Sequence, residues 1–299
     1  MKEFDVVIIG SGASGLNLAL NLMELGIKNL LIVEKDPIIG GRLNTATYNI
    51  SKNANIIGVE YKDDLLTKIK QNAIQVLTNT LVTKIDKNTL TVSNSLDGIF
   101  NIMSKVIVLC NGSKEKGINT LNIDSNRPSG IFTTVATEKI LNSFHALPGK
   151  TISFLGFSDT GKEIFKILKS KGVHISSIIC TDDLDTLNDI PTELIYKNYK
   201  LVKVNGNGRL TSIEITNNYD KKVLSCDTLI LSEPAIPDSL LAMRSNIPLE
   251  NGVPILNENF QTKVSNIFVI GNAAYIHNSI EEIELNSKKV SYIIFNTLK

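Results

Sequence analysis

Between Phe4 and Lys35 the chain reads FDVVIIGSGASGLNLALNLMELGIKNLLIVEK, and that order constrains the fold more than any other stretch. Val6 to Ile9 are consecutive apolar residues, the mark of a strand covered on both faces. Gly10, Gly12 and Gly15 follow at the GxGxxG spacing, with Ser11, Ala13 and Ser14 between them, and open a helix. Glycine at the first position permits a tight turn. At the second it lets a diphosphate approach the backbone without an intervening Cβ, and at the third it lets the helix sit close on the strand. The unpaired N–H groups and positive dipole end of that helix then face the diphosphate. Glu34 ends the next apolar run nineteen residues after Gly15, followed by Lys35, where a carboxylate meets a ribose hydroxyl and disfavours a phosphorylated ribose. The segment therefore reads as an ADP-binding cradle.

A second unit of the same kind begins at Thr151. TISFLG reads as a buried strand, Gly156, Phe157, Ser158, Asp159, Thr160 and Gly161 as the turn, and KEIFKILKSKG as the helix. VHISSIIC is the next strand, delivering Thr181, Asp182 and Asp183 about twenty residues beyond Gly161. These stand either at a ribose or as solvated residues of a polar loop. Ser158 holds the middle glycine position. If the backbone there is left-handed, its Cβ costs roughly 1 to 2 kcal/mol, about tenfold in affinity, which the hydroxyl returns in part by donating to a phosphate. The turn is thus a weakened cradle or a plain strand-to-helix connection. No arginine occurs from Thr181 to Ile190 to clamp a 2′-phosphate, so NAD(H) is favoured over NADP(H).

At 299 residues and 42% hydrophobic content the chain can build two domains with packed cores. The net charge of +1, with acids and bases interspersed, leaves no basic face for nucleic acid. Apolar runs such as Val106–Cys110 and Ile267–Ile270 are far too short to span a membrane, and the N-terminus enters its first strand without room for a signal, so a cytoplasmic protein is expected. The three cysteines, Cys110, Cys180 and Cys226, are widely separated in apolar runs and form no CxxC, which suits reduced core thiols.

From Ile74 to Asn111, short β-rich runs (IQVLTNTLVTKI, TLTVS, IFNIM, KVIVLCNG) suggest a small antiparallel excursion. Gly112 to Lys150 is rich in turn residues, with one helical patch around Ala136 to Phe144, and reads as the passage between domains. LVKVNGNGRLTSIEI suggests a hairpin turning at Asn205 to Gly208, with CDTLILS as a returning strand. SNIFVIGNAA gives a last buried strand, and Ile280, Ile283, Val290, Ile293 and Ile294 suit a closing amphipathic helix.

In this order the segments resemble the two-dinucleotide flavoprotein family that includes thioredoxin reductase and the pyridine nucleotide-disulfide oxidoreductases. Gly10 to Gly15 and Glu34 match its FAD cradle, and Gly40, Gly41, Arg42 and Leu43 match the loop that passes the flavin. Val82 matches the strand position that meets the adenine. Cys110, Asn111 and Gly112 stand where the family has its ATG crossing, and IFVIGNAA matches the terminal strand, with Asn272 after Gly271 in place of an aspartate. More narrowly, RPSGIFTTVATEKILN and LPGKTISFLG look like a bacterial subgroup of NAD(P)/FAD-dependent oxidoreductases that lacks the redox disulfide. After the GG loop that subgroup carries Cys and His, whereas Thr45 to Tyr48 stand here.

The resemblance implies an α/β chain of two Rossmann-like three-layer domains, the second inserted into the first: residues 1–113 with 245–299 for FAD, and 114–244 for NAD. It implies hydride transfer from NADH to FAD and onward to a small-molecule or protein acceptor. The alternatives are an electron-transfer subunit paired with a partner dehydrogenase subunit, or an FAD protein with a degenerate NAD site. A homodimer is compatible with either. His277, after the GN pair, is a candidate flavin neighbour or an ordinary hydrogen-bonded residue, and no metal-ligand spacing is present.

Overall fold

The computed structural model describes residues 2–121, 123–125, 127–180 and 190–299. The chain divides into two compact units, Met1–Lys114 with Ile236–Lys299, and Glu115–Ala235. Helices among the described residues are α1 (Ala13–Glu24), α2 (Gly58–Gln71), α3 (Thr134–Glu138), α4 (Asp159–Ser170), α5 (Leu240–Arg244) and α6 (Ile280–Leu298).

In the first unit, β1 (Glu3–Ile9), β2 (Leu30–Val33), β3 (Gln75–Leu77), β4 (Thr80–Asp86), β5 (Thr89–Asn94) and β6 (Gly98–Leu109) lie in the order β3-β2-β1-β6-β5-β4. The register of β1 sets Ile9 level with Val33 on one side and Leu109 on the other, so three parallel strands end together at the glycine turn. IFNIM and KVIVL, read from sequence as separate runs, are one strand. Residues 98–103 of β6 pair antiparallel with β5, and its last residues pair parallel with Ile267–Val269 on the same edge. Gln75–Leu77 leaves the antiparallel excursion as well, because it pairs parallel with β2.

Alternate residues of β1 serve opposite faces, as a pleated strand requires. Val6 and Ile8 pack with Leu16 and Leu22 of α1, Leu65 and Ile69 of α2, and Val290 and Ile294 of α6. Val7 and Ile9 pack with Val82, Leu90 and Ile102 of the antiparallel strands and with Leu241 and Ala242 of α5. Burying each such side chain contributes about 1.5 to 3 kcal/mol. Helix α2, to which no element was assigned from sequence, buries only Gly58, Leu65 and Ile69, too sparse a stripe to stand out. The chain rejoins this unit at Ile236 rather than at 245. Ile236–Pro237 pairs with Ser113–Lys114, α5 contributes to the core, and Ile85 N donates to Ser245 Oγ at 2.9 Å.

The second unit holds a five-stranded parallel sheet in the order Ile195–Lys197, His174–Cys180, Thr151–Leu155, Thr228–Leu231, Ile131–Thr133. One face packs on α4 through Ile164, Phe165 and Leu168, with Phe154, Phe157 and Phe165 in mutual contact. The other face packs on a second sheet through Val204, Leu210 and Ile213. In that sheet Lys200–Asn207 and Arg209–Thr216 form the expected hairpin, but it turns on Gly208 alone, since Asn207 already pairs with Arg209. Lys221–Ser225 adds a strand that the sequence reading lacked. Ile131–Thr133 and α3 lie inside the stretch read as a passage, and Ile131–Thr133 is an edge strand of the parallel sheet. Each unit is thus a three-layer Rossmann-like fold, and the second is inserted into the first.

Candidate functional site

The three glycines of the first turn do two different jobs. A Cβ on Gly10 (φ +104°) would strike the Cys110 carbonyl, and one on Gly15 would strike the Gly10 carbonyl, so these two are bare because protein backbone passes there. Gly12 has φ −74° and ψ −174°, open to any residue, and a Cβ on it would meet nothing within 4 Å. Its bareness therefore serves no contact within the protein. Gly12 is also the N-cap of α1, which no side chain caps, and the first turn of α1 carries no acidic residue. Uncapped N–H groups and an unopposed positive dipole end are the elements of a diphosphate site.

Other parts of the chain close around this turn. Gly41 (φ +53°) brings the Gly40–Gly41 loop onto Gly12, the Gly12 Cα lying 3.1 Å from where a Gly41 Cβ would be, and Gly40 N donates to Ser11 O at 3.0 Å. Gly271 (φ +64°) faces Ser14, whose Oγ a Cβ on residue 271 would strike. Asn111 Cα lies 3.2 Å from the same point beside Gly10. Gly10 to Gly15, Gly40, Gly41, Asn111 and Gly271 are thus brought together. Leu43 packs in the core below, Arg42 is half-buried, and Lys35 is exposed. Val82 lies in β4, which begins where Thr80 N donates to Glu34 O, and its side chain is in the core.

Glu34 is 5% exposed, and its carboxylate is tied directly to the turn. Oε2 accepts from Ser11 N at 2.8 Å and Ser11 Oγ at 2.6 Å, while Oε1 accepts from Asp36 N at 2.9 Å. Sequence spacing located the acid but not its bond to Ser11. Oε1 keeps lone-pair capacity for a ribose hydroxyl.

Asn272 and His277 form a small polar network. Asn272 Oδ1 accepts from His277 N at 3.0 Å and from His277 Nδ1 at 3.1 Å. Asn286 Nδ2 lies 2.8 Å from His277 Nε2 and 2.7 Å from Tyr275 OH, and the Tyr275 and His277 rings stack at 4.3 Å. An acceptor on Nδ1 and a donor on Nε2 assign the neutral Nδ1–H imidazole. Burial pushes the same way, lowering the pKa of His277. Tyr275 and Asn286 carried no sequence signal, because their role exists only where α6 returns past residues 275–277.

The second turn repeats the steric logic with one change. A Cβ on Gly156 (φ +74°) would meet Ser232 O at 2.7 Å, and one on Gly161 would strike Ser232 Oγ. Ser158 has φ −63°, so the left-handed strain considered from sequence does not arise. Its hydroxyl caps α4 instead, accepting from Gly161 N at 3.3 Å, and it lies 3.0 Å from Ser232 Oγ. Phe157 is a core residue, Asp159 pairs with Lys162 at 2.9 Å, and Thr160 is half-buried. Thr181, Asp182 and Asp183 lie outside the described residues.

All three cysteines are buried and none is in a disulfide. Burial raises the thiol pKa of Cys110 and takes that of Cys226 to about 11, which keeps both protonated and unreactive. No helix among the described residues is long and apolar enough to cross a membrane, and no metal-binding group of His, Cys, Asp and Glu occurs among them.

The family model for pyridine nucleotide-disulphide oxidoreductases matches residues 4–289. The chain belongs to this family. Members of the pyridine nucleotide-disulphide oxidoreductase family use FAD and NAD(P)H. Among curated relatives, mitochondrial dihydrolipoyl dehydrogenase of Caenorhabditis elegans is 23% identical, covering 91% of this chain and 63% of that protein. Ferredoxin–NADP reductase of Pelagibacter ubique is 25% identical over 91% of this chain and 84% of its own length. The chain thus spans just under two thirds of the dihydrolipoyl dehydrogenase. Thioredoxin reductase of T. acidophilum shares the fold, with a TM-score of 0.78 and 16% identity over 99% of both chains.

The residues of this family member fit FAD on three observations. Gly12 leaves room that no protein atom needs, and α1 lacks a capping side chain. Asn111 Oδ1 is a buried acceptor without a donor among the described residues, while its Nδ2 donates to Asp238 O at 2.7 Å.

Proposed function

We propose that this chain is an FAD-dependent oxidoreductase that takes hydride from NADH and passes electrons to a small-molecule or protein acceptor without a disulfide of its own. The observation that carries the reading is the bare, uncapped turn at Gly12 with the buried Glu34 carboxylate beside it. Bound FAD supplies the redox chemistry, accepting hydride from reduced nicotinamide and releasing electrons to the acceptor.

The chain's own residues hold and orient. N–H groups at the start of α1 bind the diphosphate, and Glu34 Oε1 accepts from a ribose hydroxyl. Asn111 Oδ1 takes a donor from the ligand. Asn272 has its oxygen engaged by His277, so what it can present is its N–H pair, where an aspartate would present charge. His277 is a positioning residue in this scheme, fixed neutral between two asparagines. All three cysteines are buried and none is in a disulfide, so the scheme passes electrons from flavin to acceptor without a thiol relay.

The clasp of Ser158 and Ser232 favours a second reading, an FAD protein whose NAD site has degenerated. Anaerobic titration of the flavin-loaded protein with NADH separates the two. Bleaching of the yellow flavin band at near-stoichiometric NADH supports the enzyme. Absence of bleaching, with FAD bound, leaves the second reading. A protein that takes up no FAD overturns both.

A further inference from the structure

The two glycine turns place their first and third glycines alike, and two serines, one at the middle glycine position and one at the end of the neighbouring strand, set the second turn apart. Gly10 is bare because the Cys110 carbonyl passes it, and Gly156 because the Ser232 carbonyl does. Ser232 therefore occupies in the second unit the place of Cys110 in the first. The Cys110 side chain turns away into the core beside Val108 and Leu16. Ser232, with no solvent exposure, turns its hydroxyl into the glycine turn. There it accepts from Ser158 N at 3.0 Å and bonds Ser158 Oγ at 3.0 Å, while Ser158 Oγ accepts from Gly161 N at 3.3 Å and Ser158 N also donates to Ser232 O at 3.1 Å.

We propose that Ser158 and Ser232 form a clasp that sets a low affinity of the second unit for the diphosphate of a nicotinamide dinucleotide. The inference rests on reading that unit as the nicotinamide-binding one. Two backbone N–H groups that an uncapped turn would offer to a phosphate are spent within the protein, and an arriving anion must displace a serine oxygen to reach the one on Gly161. The two hydroxyls share one proton between them, so a single O–H is left to donate outward. The first unit carries no such restraint, since no side chain caps α1. The consequence is an asymmetric protein that keeps FAD firmly and exchanges its nicotinamide nucleotide readily.

A net neutral hydrogen bond is worth about two- to tenfold in an equilibrium constant, which sets the size of the test. Equilibrium dissociation constants for NADH, ADP-ribose and adenosine are measured on the full chain, wild type against Ser158→Gly and Ser232→Ala. Glycine at an N-cap costs a helix only a few tenths of a kcal/mol relative to serine, so Ser158→Gly retains the fold. Ser158→Gly tightens NADH and ADP-ribose about three- to tenfold and leaves adenosine, which has no phosphate, unchanged. Ser232→Ala releases the Ser158 hydroxyl and tightens both about two- to threefold. Equal, measurable NADH affinity in all three proteins overturns the clasp alone. Tightening that extends to adenosine also overturns it. If neither the wild type nor either variant binds NADH or ADP-ribose, the nicotinamide reading of this unit falls and the clasp with it.

Discussion

Replacing Gly12 by alanine separates ligand binding from folding, because a Cβ there touches no protein atom. The backbone at φ −74° accepts alanine without strain. A compatible Gly→Ala change stabilises by about 0.4 to 1 kcal/mol through the unfolded chain, and the weaker N-cap preference of alanine removes about the same amount. The net change in stability is within about 1 kcal/mol, or roughly 2 to 4 °C in Tm for a unit of this size. A diphosphate held by α1 must retreat from the new methyl group. Losing two charge-assisted hydrogen bonds at about 1.5 kcal/mol each weakens FAD about a hundredfold. Gly15→Ala gives the reverse pattern: its Cβ strikes the Gly10 carbonyl, with Ile8 Cγ2 at 3.3 Å, and overpacking against backbone costs about 1 to 3 kcal/mol of stability. Thermal melts are recorded on FAD-free protein, since bound ligand would itself raise Tm, and FAD affinity follows from quenching of flavin fluorescence. A folded Gly12→Ala protein that binds FAD within about threefold of wild type would refute the placement of the diphosphate.

Three further outcomes are expected. Burial lowers the pKa of His277, so the unfolded chain protonates first as pH falls; the contribution to stability is full above about 6.5 and declines below it, and His277→Asn flattens that decline in denaturant titrations across pH 7 to 5. Glu281 is held at a pKa of about 2, first by the Ser51 hydroxyl, which places its loss of stabilisation between pH 4.5 and 2; in Ser51→Ala the carboxyl resonance titrates closer to 4.5 by NMR. Ile294→Ala, at a fully buried position of α6, costs about 2 to 5 kcal/mol, whereas Leu285→Ala on the exposed side of the helix stays within about 0.5 kcal/mol. Denaturation midpoints compare the two.

Much of the candidate site was legible because its signals are local. Strand, turn, helix and acid from Val6 to Glu34 follow one another in sequence, each with its own periodicity or spacing, and the structure brings Glu34 onto Ser11 within that unit. The second turn was legible in outline, but Ser158 was read as a bulky intruder when its oxygen is a helix cap. Nothing near residue 158 marks Ser232 as its partner, seventy-four positions away. Helix α2 escaped notice because its buried stripe is so thin. β6 looked like two strands because its first half carries the alternation of a half-covered edge, and its second half the unbroken run of a buried strand.

By itself the amino-acid order determined where each glycine turn lies, that a carboxylate follows the first nineteen residues on, and that no CxxC occurs, since these are matters of spacing and residue type. Only the tertiary structure decided that Gly12 is bare for no protein neighbour, that His277 is held between Asn272 and Asn286, and that a serine from the far end of a parallel strand closes the second turn. The physical reason is that steric room and hydrogen-bond partnership belong to pairs of atoms, and the chain makes those pairs neighbours only after its sheets are assembled.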